Sequence, residues 1–251
     1  MQKALIFLLF LGGITSCKSS LVIQNVKTEN ISNAEDLTRI DSSLIRLVEP
    51  YRNKLTEEME EVIAISTVEL VKGRPESRLT NYLGDLLLEE GRRYAKNSLS
   101  KPTPVMAYLN YGGLRTALPQ GNITVGKIYE LMPFENEMVL LKLKGVDVYA
   151  FAEKIADQGG DCVAGIKIGI RDRRVSHLEI NGKPLDQNGE YWMVTNDYVA
   201  NGGDDMQMLT NRLEYISTSI KLRDCMISYM KREYRSGKKI TPNPDGRIYM
   251  E

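Results

Sequence analysis

Three short blocks of this chain combine residue types able to hold a small polar ligand: Asn110-Tyr-Gly-Gly-Leu-Arg115, Leu131-Met-Pro-Phe134 and Asn196-Asp-Tyr-Val-Ala-Asn-Gly-Gly-Asp204. Gly112 and Gly113 follow a short apolar run, where missing Cβ atoms let backbone amides approach a ligand closely. Arg115 offers a planar fork matched to phosphate or carboxylate. Phe134 and Tyr198 supply two ring faces for a base, and such stacking is worth roughly 1–3 kcal/mol per base. Asp204 closes the Asn201-Gly-Gly203 loop with two oxygens suited to a vicinal diol. Each block also has a plainer reading. Paired glycines after a strand can be a simple turn, Phe134 a half-exposed core residue, and Asp204 a cap or a calcium ligand. The spacing fits neither the phosphate loop of nucleotide hydrolases nor a dinucleotide fingerprint.

Other chemistries are poorly supplied. The chain has one histidine, His177, beside the charged run Arg171-Asp-Arg-Arg174, where it reads as a surface or strand-edge residue. Neither a histidine-rich metal cluster nor a Ser/His/Asp arrangement can be argued from it. Beyond Cys17 the cysteines are Cys162 and Cys225, which could pair in an oxidising compartment. However, Leu222, Cys225, Met226, Tyr229 and Met230 recur at helical spacing, so Cys225 reads as core filler. Basic and acidic residues balance at 33 each. That balance gives no electrostatic case for nucleic acid or an anionic membrane surface.

Met1-Gln-Lys3 followed by the apolar stretch Ala4 to Leu11 reads as a secretory signal, too short to span a bilayer. Ile14-Thr-Ser-Cys17 then resembles a bacterial lipobox, with cleavage before a cysteine that receives lipid. Acyl chains anchor firmly because each buried methylene adds roughly 0.8 kcal/mol. The expected organisation is a signal over residues 1–16, a lipidated N-terminus and tether over 17–40, and one folded domain over 41–251. The expected location is the bacterial cell envelope, outside the cytoplasm on the periplasmic or surface side.

The elements that must position the three blocks follow from periodicity. From Ile40, the residues Leu44, Leu47, Val48, Tyr51 and Leu55 share a helical face that Pro50 kinks or splits. Val62 to Ile65 predicts a buried strand, and Glu76 to Ala95 a helix with Leu79, Leu83, Leu86 and Leu87 inside. Pro104 to Leu109 predicts the strand that delivers Asn110 to its turn. Helices are expected over Val125–Leu131, Val146–Ala156 and Ser219–Tyr234. Further strands are expected over Met138–Leu143, Ile166–Ile170, Val175–Ile180 and Tyr191–Thr195, and Asn181-Gly182 signals a hairpin. Pro242 and Pro244 suggest an irregular tail. This order predicts an α+β fold of mixed or antiparallel sheets flanked by helices.

Taken together, the blocks resemble the C-terminal domain of the 5′-nucleotidase family, from about Asp41 to Ile248. The resemblance runs through Glu76-Ser77 with Asn81, Asn110-x-Gly-Gly-x-Arg115 and Gly121-x-Ile-Thr-x-Gly126. It continues through Pro133-Phe134-x-Asn136 and Gly182-Lys-Pro-Leu185 to Tyr198-x-Ala-Asn-Gly-Gly203-Asp204. It implies a layered domain that binds a nucleoside and carries it towards an N-terminal dimetal phosphoesterase domain. By resemblance, Phe134 and Tyr198 would stack on the base, with tyrosine standing where phenylalanine is common. Asp204 would hold the ribose hydroxyls, Asn110 would touch the base and Arg115 would meet phosphate. The family places another phosphate-binding arginine shortly before the Glu76-Ser77 block. Here Gly73 aligns with it and Arg74 stands next to it.

The stretch between Cys17 and Glu76 is too short for the dimetal half, which needs ligands fixing two ions about 3.5–4 Å apart. No cofactor is therefore expected in this chain, and divalent metals are expected in a separately encoded metallophosphoesterase partner. The leading expectation is a nucleotide-recognition subunit, lipid-anchored to the membrane, that positions substrate for phosphate-ester hydrolysis by that partner. A stand-alone nucleoside-binding surface lipoprotein and a scaffold that lost its ligand are the alternatives.

Overall fold

The computed structural model describes residues 25–29, 42–99 and 103–251. The proposed signal, Cys17 and most of the tether lie outside the described residues. The chain divides into two units, residues 1–48 and 49–251. In the first, residues 25–29 carry no regular secondary structure and are exposed. Helix α1 (Ser42–Glu60) begins there and runs into the second unit, with Pro50 inside a single unsplit helix. Its apolar stripe of Leu44, Leu47, Val48, Tyr51 and Leu55 is exposed along its length. No helix among the described residues is long and apolar enough to cross a membrane.

The second unit is α+β. Its centre is a five-stranded mixed sheet in the order β10 (Glu214–Lys221), β4 (Glu137–Lys144), β9 (Glu190–Asn196), β2 (Met106–Leu109), β5 (Cys162–Ala164). Only β2 and β9 run parallel, and the other neighbours are antiparallel. Strand alternation sends successive side chains to opposite faces. Ala107 and Leu109 therefore enter one core, while Met106 and Tyr108 enter the other. A sheet covered on both faces must be apolar on both, and β2 is buried at all four positions.

On the first face lies α2 (Arg78–Tyr94), which buries Leu79, Leu83, Leu86 and Leu87. Ser77 caps it by accepting from the Thr80 N–H, while Thr80 Oγ1 accepts from the Ser77 N–H. Such caps contribute about 1 kcal/mol. The small antiparallel pair β1 (Val62–Ser66) and β3 (Gly121–Thr124) joins this core with α3 (Val125–Leu131) and α6 (Leu222–Arg235). Cys162 and Cys225 are both unpaired and buried here, and the Cys162 thiol donates to the Thr80 carbonyl at 3.0 Å.

On the second face lies α4 (Gly145–Asp157), whose Phe151 meets Tyr108 edge-on at 5.0 Å. Behind it stands a four-stranded sheet in the order β11 (Ile248–Met250), β6 (Ile166–Arg171), β7 (Arg174–Ile180), β8 (Lys183–Pro184). Asn181 and Gly182 both take positive φ and turn β7 into β8. Asp172 and Arg173 do the same between β6 and β7, leaving the charged Arg171–Arg174 run exposed. His177 lies on β7, bonded to Glu179 at 2.9 Å.

Two expectations fail. The stretch before the last helix is strand β10 through Lys221, and the helix starts at Leu222 rather than Ser219. The tail is not irregular throughout, because β11 pairs in parallel with β6. Glu76 secures that return. Its oxygens accept from the Gly246 N–H at 2.7 Å and the Asn81 amide at 2.6 Å.

Candidate functional site

The parallel neighbours β2 and β9 end side by side, and the loops beyond them build a cavity of about 630 Å³. It is lined by Asn110, Gly112, Gly113, Arg115, Phe134, Glu135, Asn136, Tyr198 and Asp204. A cavity of this size, with two aromatic rings among convergent polar side chains, suits a small polar ligand. The three sequence blocks thus meet in one place, although they lie far apart along the chain.

Asn110 leaves β2 nearly buried and bridges two loops. Its Nδ2 donates to Asp204 Oδ2 at 2.7 Å, and its Oδ1 accepts from Asn196 Nδ2 at 3.2 Å. Asn196 is also the cap of the single-turn helix α5 (Asp197–Ala200), accepting from the Val199 N–H at 3.0 Å. Tyr198 rides on α5, and its hydroxyl donates to Asp204 Oδ1 at 3.0 Å. That bond is the main reason the tyrosine's pKa is raised above its ordinary value. Asp204 sits in left-handed backbone at φ 53°. Gly203 does not line the cavity; it lies against the Tyr198 ring, where a Cβ would stand 2.5 Å from ring carbons.

Phe134 and Tyr198 are 42% and 48% exposed on the walls of this one cavity, so neither is spent on the core. Phe134 is held from behind. Asp197 accepts from the Asn136 amide at 3.0 Å and from the Glu137 N–H at 3.1 Å, tying the Phe134 loop to α5. Glu135 is gripped by the buried Arg223, whose guanidinium stacks on Tyr129 at 4.0 Å. The Arg223 hydrogen bond holds the Glu135 carboxyl below its usual pKa.

The cations divide. Arg115 is exposed at the cavity wall and donates to the Gly112 carbonyl at 3.3 Å. Arg74 is not among the lining residues; its guanidinium lies over the Tyr111 ring at 4.6 Å. Lys72 covers the same ring at 4.3 Å while donating to the Leu114 carbonyl at 2.7 Å. Burial, with Arg115 and Arg74 nearby, lowers the Lys72 pKa. Below this group lies Asp161, whose carboxyl is pushed up to about 7 by burial against the opposing pull of the Cys162 N–H and Arg74. Tyr108 reaches it at 3.4 Å.

Glu135, Asn136, Asn196 and Asp197 are the site residues that sequence reasoning left unassigned. The available signals were pattern and position: Asn136 closes the Pro133-Phe134-x-Asn136 motif around Glu135, and Asn196 and Asp197 open the block that carries Tyr198. Among the described residues, no group of three or more His, Cys, Asp or Glu side chains is arranged to hold a metal ion.

Known proteins share this arrangement of loops and sheets. Residues 62–211 match the family described as 5′-nucleotidase, C-terminal domain. Protein UshA of Escherichia coli is 22% identical over 220 residues, covering 86% of this chain and 39% of that protein. The 5′-nucleotidase of Vibrio cholerae is 24% identical over 214 residues, covering 82% and 37%. The crystal structure of a 5′-nucleotidase precursor from Thermus thermophilus superposes with a TM-score of 0.67 at 27% identity, covering 84% of this chain and 43% of that one. The chain thus spans less than half the length of these relatives.

Proposed function

Because the chain belongs to the 5′-nucleotidase C-terminal domain family, we propose that it is the nucleotide-recognition half of an extracytoplasmic nucleotidase. The observation that carries this reading is the convergence of two exposed rings, an amide, a carboxylate and an arginine on one cavity. The base lies between Phe134 and Tyr198, with the Asn110 amide within reach of it. Asp204 accepts from the ribose hydroxyls, and Arg115 meets phosphate as the cavity's cation. Glu135 and Asn136 border the base position beside Phe134, with the Asn136 amide nitrogen given to Asp197 and Glu135 held by Arg223.

A separately encoded metallophosphoesterase performs the ester hydrolysis, supplying the divalent metals and the attacking water. The present chain binds, orients and partly desolvates the nucleotide, so that the phosphate ester meets the metals in a reactive pose. Lipid on Cys17 holds the pair at the cell envelope.

Calorimetric titration of the soluble domain with adenosine and then AMP, without metal, tests the recognition step. Saturable binding that disappears in Asp204→Ala supports it, and absence of heat with both ligands overturns it. Mixing with the partner phosphoesterase tests the second half. Turnover of AMP should rise on addition of this chain and stay at baseline with Asp204→Ala; an unchanged rate removes the two-chain reading.

A further inference from the structure

Asp204 must offer two oxygens to bind a vicinal diol in bidentate fashion, and each already accepts one bond within the chain. Oδ2 accepts from Asn110 at 2.7 Å and Oδ1 from the Tyr198 hydroxyl at 3.0 Å. The Asn110 bond comes from a nearly buried side chain that is itself held by Asn196, so it belongs to the scaffold. The Tyr198 bond is different. It comes from a half-exposed ring on a single-turn helix, and a phenylalanine at that position could not make it.

We infer that the Tyr198 hydroxyl is a specificity-determining group that occupies the place of a ligand hydroxyl on Asp204, so that a ribose diol binds in competition with it. This deepens the nucleoside reading above and rests on it.

The geometry makes the competition direct. Tyr198 and Asp204 flank the same short loop, and Gly203 between them lies under the ring, so the hydroxyl is carried straight to the carboxylate. Asp204 is fixed from its other side by the left-handed backbone of the loop and by the Asn110 bond. The movable member is therefore the tyrosine. Ligand hydroxyls arriving at Oδ1 compete with the phenol for that oxygen, whereas a base stacking on the ring face does not. The hydroxyl thus penalises diol-bearing ligands selectively and leaves sugars without hydroxyls unaffected. It narrows the affinity gap between ribonucleosides and their deoxygenated counterparts.

The test is calorimetry of the wild-type domain and Tyr198→Phe with adenosine and 2′,3′-dideoxyadenosine. The variant keeps the ring and removes only the competitor. Adenosine affinity should rise about fivefold, the net worth of one such hydrogen bond, while dideoxyadenosine affinity stays the same. Asp204→Asn, read in parallel, should bring the two ligands to similar affinity. Equal gains for both ligands in Tyr198→Phe overturn the inference, because they would come from the ring. Unchanged or weaker adenosine binding overturns it too, by making the phenol a spectator or a ligand contact. Failure of every form to bind either nucleoside overturns instead the nucleoside reading on which the inference stands.

Discussion

Asp197 and Asn136 join the two aromatic loops of the cavity: the Asp197 carboxylate accepts from the Asn136 amide at 3.0 Å and from the adjacent Glu137 N–H at 3.1 Å. Asp197 directly precedes Tyr198, and Asn136 lies two residues past Phe134. The spacing of the two ring positions thus depends on a clamp behind them. Stacking requires that spacing to be set before the base arrives.

Loosening the clamp should weaken binding with little cost in folding. Asp197→Ala is expected to reduce adenosine affinity about tenfold while thermal stability falls only slightly, since the clamp is only partly buried. Titration calorimetry paired with thermal melting checks this. A large loss of stability with affinity intact in the folded fraction would count against it.

Arg115 is expected to read phosphate rather than base. Arg115→Ala should lower AMP affinity roughly tenfold, the worth of a charge-assisted hydrogen bond. Adenosine affinity should remain unchanged. The ratio of the two dissociation constants is the measurement, and equal losses for both ligands would contradict the assignment.

Stability depends on how closely α2 lies on the central sheet. A Cβ on Gly84 would stand 2.7 Å from the Val163 carbonyl oxygen, a backbone atom of β5 that cannot retreat without dragging the strand. Gly84→Ala should therefore cost about 2–3 kcal/mol despite the better helix propensity of alanine. Urea unfolding measures it, and a stabilised variant would show that the helix can lift away freely.

Asp161 gives the molecule a pH dependence of unusual sign. Burial raises its pKa to about 7, above the ordinary carboxylate value it regains on unfolding. Its contribution is fully present below about pH 4 and is lost as pH rises towards 7. Between pH 4.5 and 7.5, the wild type should lose about 2–4 kcal/mol relative to Asp161→Asn, which keeps an acceptor for the Cys162 N–H. Parallel stability curves for the two proteins would refute the raised pKa.

The legible parts of the chain carried their own local punctuation. Helix α3 has the limits expected from sequence because Thr124 caps one end and Pro133 follows the other. The missed strand β10 lies at the sheet edge, where Ser217, Thr218 and Ser219 give little apolar signal beside Ile216 and Ile220. Strand β11 exists only because β6, far away in sequence, supplies its partner. The site divides in the same way. Phe134, Tyr198 and Asp204 have suggestive side chains, but Asn136 and Asp197 act through a bond spanning 61 positions. Arg74 shows the converse: a cation beside the right motif, drawn instead onto the Tyr111 ring.

The two buried cysteines have a practical use that follows from their packing. Cys162 on β5 is fully enclosed, Cys225 on α6 is 3% exposed, and both face the core shared by α2 and α6. Burial pushes the Cys225 thiol up to about 12 and raises Cys162 well above its ordinary value, so neither offers a reactive thiolate at neutral pH. A maleimide added to the folded domain therefore has no native target among the described residues. A cysteine introduced on the Phe134 or Tyr198 loop could take a fluorophore without removing either native thiol. Under denaturant, the same two silent residues become reporters, because each modification event records an opening of the core that holds α2 and α6 together.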